Sequence, residues 1–244
     1  TGWQTHAAMF VAGGKSFQYP DSASGTGRFN VDFTEGATGP FEDDTCDVFY
    51  VKSPGFGDLL LTTNDAAEYV NSVSTSAANG VGKLTGTRSD YKDTAWTIQR
   101  AAGTPDVNLI FYGIESYKAA DKPIGVWNMG ASGSLAANWV DDNQPYSFVN
   151  VLPDLAPNLT IICLTINDWA NDTAEATYKA NMQMIIDAAI ETGDVLLVVG
   201  VPSNTGTAPV DRQQRFAGYV RALADTNDLP VIDLSERWVS QALL

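Results

Sequence analysis

The chain has 244 residues, 44% of them apolar and 18% charged: enough for a sizeable core in one large or two ordinary domains, and too apolar for a disordered segment. Acidic residues outnumber basic ones 29 to 14, a formal net charge of −15, which argues against nucleic acid or an anionic membrane as partner, because phosphates are held by basic surfaces. The charge suits neutral polymers such as glycans and an extracellular setting, and no apolar run approaches the ~20 residues that span a bilayer.

The chain opens on Thr1-Gly2-Trp3 without an initiator Met or a signal-peptide pattern, as expected of a fragment or a processed product. Residues 1–27 are rich in Gly and Ser and read as a weakly specified lead-in. Up to about residue 118, short segments rich in β-branched and aromatic residues follow one another: 28–33, 46–52, 58–63, 68–73, 94–100 and 107–114. Several alternate in polarity, and Gly, Pro, Asn or Asp separate them. Such a series predicts an antiparallel sandwich of the jelly-roll kind. Aromatics such as Tyr50, Phe56, Tyr91 and Trp96 are expected mainly in its core. The acidic run 42-EDD-44 is expected in a solvated loop rather than around calcium.

Beyond residue 124 the pattern changes to strands alternating with helices. Strands are expected at 125–129, 159–166, 194–201 and 230–234, the middle two as continuous apolar runs of the kind covered on both faces. A helix is expected over 173–192, with Tyr178, Met182, Ile185, Ile186 and Ala189 on one face and Gly193 as its stop. A second is expected over 211–227, with Phe216, Val220 and Leu223 buried, and a weaker one over 134–140. Alternation of this kind implies a parallel sheet with helices on both sides. The domains are therefore placed at 1–120, a β-sandwich, and 121–244, an α/β domain, with 118-KAADKP-123 as the boundary.

Cys46 and Cys163 lie far apart in sequence, in separate apolar segments, and are expected as buried free thiols. One histidine and two distant cysteines cannot build a zinc site, so neither metal nor cofactor is expected.

In an open α/β sheet, function collects beyond the carboxyl ends of the strands. Two such ends stand out: 128-NMGASG-133 and 165-TINDW-169. A glycine at 130 lets its backbone N–H approach a ligand closely, and the Asn167 amide supplies a side-chain N–H. Two converging donors are what an oxyanion hole needs in acyl transfer. A turn with an Asx motif is the plainer reading of Asn167-Asp168.

The N-x-G-x-S-G sequence, followed about 35 residues later by a strand ending in Asn-Asp, resembles the second and third conserved blocks of the SGNH (GDSL-type) hydrolases, esterases and deacetylases on a flavodoxin-like sheet. The resemblance runs from 124 to 238. It implies a three-layer parallel α/β fold and makes Gly130 and Asn167 the oxyanion donors. Thr165 stands where the family usually has Gly. Trp169, Ser132 and Asn204 are candidate substrate contacts, and a nucleophilic role for Ser132 is disfavoured because the family's serine in that block is structural.

The family's other blocks are missing. No Gly-Asp-Ser occurs, the nearest match to D-x-x-H runs from Asp233 to Glu236, and His6 is the only histidine. No triad can be assembled from these residues. The expectation is that the serine, aspartate and histidine come from the remainder of the same polypeptide or from a second chain that completes the sheet, the sandwich being an insertion that resembles a carbohydrate-binding module. The implied function is removal of O-acyl, chiefly acetyl, groups from a surface or extracellular polysaccharide by a secreted or phage-tail protein. A non-catalytic glycan-binding module on a degenerate SGNH fold is the alternative, and a homo-oligomer is left open.

Overall fold

The fold is described from a computed structural model. The structure describes residues 4–6, 16–19, 28–31, 44–63, 69–78, 80–88, 96–101, 109–121, 124–140, 147–200 and 210–237. Two compact units are present, Thr1–Gly130 and Ala131–Leu244.

The first unit is built from β1 (Gln4–His6), β2 (Ser16–Tyr19), β3 (Arg28–Val31), β4 (Thr45–Lys52), β5 (Asp58–Thr63), β6 (Tyr69–Ser74), β7 (Gly80–Thr87), β8 (Trp96–Arg100) and β9 (Leu109–Tyr117). They form two antiparallel sheets, ordered β1-β2-β9-β4-β7 and β3-β8-β5-β6. Period-2 alternation turns one side of each sheet inward. In β5, Leu59, Leu61 and Thr63 are buried and the residues between them are half-exposed. Cys46, Val48 and Tyr50 of β4, Leu84 of β7 and Leu109 and Phe111 of β9 meet Leu59, Leu61, Trp96 and Ile98 of the other sheet in one core. Tyr50 and Trp96 are thus core residues, as expected, and Tyr91 lies outside the described residues. Two strands, β1 and β2, occupy the segment read from sequence as a lead-in.

The outward side of the larger sheet carries a buried carboxylate. Asp47, 3% exposed, accepts hydrogen bonds from the Lys83 ammonium at 3.2 Å, the Thr85 hydroxyl and the Tyr117 hydroxyl at 3.3 Å. Three donors offset the cost of taking this charge out of water. Glu115, its cross-strand neighbour, is held above the usual carboxylate range by burial and by the charge of Asp47.

Residues 125–129, expected as a strand, form none. The reason is tertiary. Trp127 meets Phe49 edge-on at 4.8 Å and lies over Gly113, where a Cβ would collide with the indole. Side-chain docking onto the first unit's sheet, rather than a ladder of its own, fixes this segment.

The second unit begins with a 3-10 turn, Ala136–Trp139, followed by α1 (Phe148–Leu155), β10 (Leu159–Ile162), α2 (Ile166–Ala170), α3 (Glu175–Ile190), β11 (Asp194–Val199), α4 (Val210–Asn227), β12 (Val231–Asp233) and α5 (Leu234–Arg237). The three strands are parallel, in the order β10-β11-β12. The buried face of α3 is Tyr178, Met182, Ile185, Ile186 and Ala189, the five residues expected from the 3.6 period. Phe216, Val220 and Leu223 of α4 are buried as expected. Tyr178 stacks edge-on against Phe216 at 4.9 Å, which ties the two helices together.

Gly193 ends α3 for a reason beyond helix propensity. A Cβ there would strike the backbone carbonyls of Pro157 and Asn158, while Asp194 N–H donates to Asn158 O at the start of β11. Gly193→Ala is expected to cost about 1–3 kcal/mol of stability, the range for steric insertion into packed structure, read as a lower midpoint in urea denaturation; an unchanged midpoint refutes it.

One side of the parallel sheet is buried: Ile162, Val195, Leu197 and Val199. The other is open at both outer strands. Leu159 and Ile161 of β10 are 52% and 60% exposed and Ile232 of β12 is 43% exposed. Parallel sheets are normally covered on both faces. Among the described residues β10 pairs only with β11, so its outer edge is unpaired.

Candidate functional site

The end of β10 leads into the residues singled out from sequence. The strand stops at Ile162, four residues short of the expected end, and the chain turns at 163–165 into the single-turn-and-a-half helix α2. Thr165 stands at the position before the helix, and its carbonyl accepts Trp169 N–H at 3.0 Å. Tyr178 reaches back from α3 and donates its hydroxyl to Leu164 O at 2.7 Å, fixing the turn. Burial, together with the charges of Asp168 and Cys163, raises the Tyr178 phenol far above its ordinary value, so it stays a donor.

Asn167 and Asp168 are the first residues of α2 after Ile166, and both reach the same neighbouring segment. The Asn167 amide, half-buried, donates to Ser134 O at 2.8 Å. Asp168 is 1% exposed, and its Oδ2 accepts Ala136 N–H at 2.8 Å. Burial raises the Asp168 carboxyl above the usual range, opposed by Ala136 N–H and the Thr173 hydroxyl. The segment they grip holds its own shape. The Ser134 hydroxyl donates to Ala131 O, Leu135 N–H donates to the Asn138 side chain, and Gly133 takes φ +80°, in the left-handed region that favours glycine. Trp139, buried, anchors the end of the segment by an edge-on contact with Phe148.

The far end of α2 is held as well. Arg212 of α4 donates to Trp169 O at 3.3 Å and Ala170 O at 3.4 Å, and its guanidinium pairs with Asp172 at 3.2 Å. The Asn171 amide donates to Asn167 O at 2.8 Å.

The structure therefore places the expected residues as follows. Asn167 sits beyond the end of a parallel strand, with one of its two amide N–H groups held by Ser134 O. Gly130 is the last residue of the first unit, exposed, with its N–H donating to Asn128 Oδ1 at 2.9 Å. Ser132 is exposed. Trp169 is 5% exposed, its ring in the second unit's interior rather than presented to solvent. Asn204 lies outside the described residues. Asp233, the acid of the nearest match to D-x-x-H, pairs with Arg221 at 2.5 Å and accepts Ser235 Oγ and Glu236 N–H, so it caps α5. His6 belongs to β1 of the first unit.

Sequence reasoning missed Asp168 as a member of this arrangement. A buried residue directly after Asn167 and facing Ala136 had no local signal, because its partner is 32 positions away. Both thiols are free, as expected, but only Cys46 is buried and Cys163 is exposed just past the end of β10. Burial raises both thiols above their ordinary values. Among the described residues no group of three or more His, Cys, Asp and Glu is placed to hold a metal ion, and no helix is long and apolar enough to cross a membrane.

No curated protein matches the chain by sequence. Among solved structures, it is similar to a carbohydrate acetylesterase from Sinorhizobium meliloti, at 16% identity and TM-score 0.34 over 44% of this chain and 62% of that one. It is similar to an aryl esterase from M. smegmatis at 19% identity and TM-score 0.34, again over 44% and 62%. A family two carbohydrate esterase from Clostridium thermocellum aligns at 12% identity and TM-score 0.32 over 96% of this chain and 88% of that one. The chain thus spans less than two thirds of the length of the first two. The family itself is carried by sequence: the model of the GDSL-like lipase/acylhydrolase family matches residues 112–243, more than half of the chain. The match takes in Gly130, the Asn167-Asp168 pair and every strand of the parallel sheet, and this chain belongs to the GDSL-like lipase/acylhydrolase family.

Proposed function

We propose that this chain forms part of a carbohydrate esterase that removes O-acyl groups, chiefly acetyl, from a surface or extracellular polysaccharide. The observation that carries the reading is Asn167, an amide at the start of α2 beyond the end of β10, in a chain of an acylhydrolase family. An N–H donor there stabilises the oxyanion that forms when an ester carbonyl is attacked. By the family resemblance Gly130 N–H is the second donor. Its present partner is the Asn128 side chain, which has to turn away for that role. Ser132 and Asn204 are proposed substrate contacts; Trp169, 5% exposed, can serve as one only at the edge of its ring.

The serine nucleophile and the Asp-His pair lie outside these 244 residues, which hold no Gly-Asp-Ser and one histidine. The unpaired edge of β10 and the exposed Leu159, Ile161 and Ile232 support a further parallel strand and covering helix there, from the same polypeptide or a second chain. That strand completes a flavodoxin-like sheet. The first unit, two antiparallel sheets around one core, is read as a jelly-roll that holds the polysaccharide, outside the cell or on a virion.

The test is release of acetate from acetylated xylan and of 4-nitrophenol from 4-nitrophenyl acetate, with the polypeptide flanking these residues included. Activity that disappears when the completing serine is changed to alanine supports the esterase. That these residues hold no Gly-Asp-Ser and a single histidine, in β1, favours a second reading, a non-catalytic glycan-binding module. Retention on deacetylated xylan with no acetate released from the acetylated polymer establishes that reading instead.

A further inference from the structure

Asp168 has no part in the reaction as set out above, yet it is a carboxylate 1% exposed and held in place. Its Oδ2 accepts Ala136 N–H at 2.8 Å, and two residues earlier the Ser134 carbonyl accepts the Asn167 amide, also at 2.8 Å. Neighbouring residues of α2 thus grip one short segment at two points, 32 and 33 positions away in sequence. The two bonds run in opposite senses: the segment donates to Asp168 and accepts from Asn167. An Asn side chain held only by the Ser134 carbonyl keeps its rotamer as long as that carbonyl stays put, and the Ala136–Asp168 bond ties the same segment to α2 two residues further on.

We propose that Asp168 is a positioning residue: by holding Ala136 N–H it fixes the Ser134 carbonyl, which locks the Asn167 amide through one N–H and leaves the other to donate to the oxyanion. The proposal rests on the role given to Asn167 above. Geometry of this kind matters because a displacement of about 1 Å in a catalytic donor costs on the order of 10²-fold in rate.

Three variants separate positioning from general support of the fold. Asp168→Ala removes the grip. Asp168→Asn keeps an acceptor oxygen of the same reach. Ala136→Pro removes the donated N–H while leaving Asp168 in place, and the backbone there suits proline: residue 136 opens the 3-10 turn, and Leu135 before it has φ −90° and ψ 161°. Because Ala136 is fully buried, the circular dichroism of this variant is compared with the parent's first. Side-chain amide resonances of Asn167 in the 15N-labelled protein are the first readout. In the parent protein its two protons are expected to be well separated, the one bonded to Ser134 O exchanging slowly. Asp168→Ala and Ala136→Pro are expected to bring the pair together and speed exchange at least tenfold, and Asp168→Asn to restore both properties. Tyr178, whose phenol feels the Asp168 charge, stays neutral through the acid range, so it does not itself shift the Asn167 signals below neutral pH.

Kinetics give the second readout. With 4-nitrophenyl acetate, Asp168→Ala and Ala136→Pro are expected to lower kcat about 10²-fold with KM unchanged, and Asp168→Asn to stay within about threefold of the parent. Asn167 resonances that do not move in Ala136→Pro overturn the proposal, as does an equal loss in Asp168→Asn and Asp168→Ala. A parent protein that includes the flanking polypeptide and still shows no esterase activity refutes the hydrolase reading alone, and the Asn167 resonances then decide the positioning claim by themselves.

Discussion

Replacing Asn167 with alanine is expected to lower kcat for acetyl-ester hydrolysis by about 10²–10³, the cost of removing one oxyanion donor. KM should change little, because a donor aimed at the developing negative charge acts on the transition state and not on the bound ester. The fold should tolerate the change. Asn167 is half-buried, and the change removes one hydrogen bond, to Ser134 O, at a cost of about 1–3 kcal/mol. Asn167→Asp is the sharper companion. It keeps the volume, removes both N–H groups and places a negative charge where another must form, so its rate should fall at least as far as that of the alanine variant. Steady-state kinetics on 4-nitrophenyl acetate check both, and a rate within threefold of the parent for Asn167→Ala takes Asn167 out of the mechanism.

The largest expected effect on stability is in the first unit. Trp96 is fully buried on β8, set between the two antiparallel sheets, with the Arg88 guanidinium 5.1 Å from its ring centre. Trp96→Ala removes both the transfer free energy of the indole and the contacts of everything that lines it, and is expected to cost about 3–5 kcal/mol. Far-UV circular dichroism during urea denaturation measures it. Ile124→Ala is the control: that side chain is 94% exposed, and its truncation should stay within about 0.5 kcal/mol. A loss below 1 kcal/mol for Trp96→Ala would falsify the claim that this tryptophan centres the core.

What could be read from sequence was whatever depends on near neighbours. The buried face of α3 followed from the 3.6 period, because Tyr178, Met182, Ile185, Ile186 and Ala189 carry the pattern within one helix. The alternation in β5 was equally local. Strand β7 was missed, since Gly80, Gly82 and Gly86 weaken every strand signal. Gly82 answers to a distant partner, the Tyr50 ring lying across it. Helix α1 was missed because Pro153 stands inside it. At the site, the place of Asn167 beyond the end of a strand was legible from the apolar run before it. Its bond to Ser134 and the burial of Asp168 were not, being set by contacts across more than 30 residues.

The open side of the parallel sheet bears on the net charge of −15 in a way unconnected with the choice of ligand. A strand edge that no other described strand pairs, on a strand carrying the exposed Leu159 and Ile161, is a template on which copies of a chain can stack into aggregates. Like-charged molecules repel over roughly a Debye length, about 8 Å at physiological salt. The surplus of 15 acidic groups therefore acts as a colloidal safeguard for an edge with no neighbouring strand among the described residues, and added salt weakens that safeguard first.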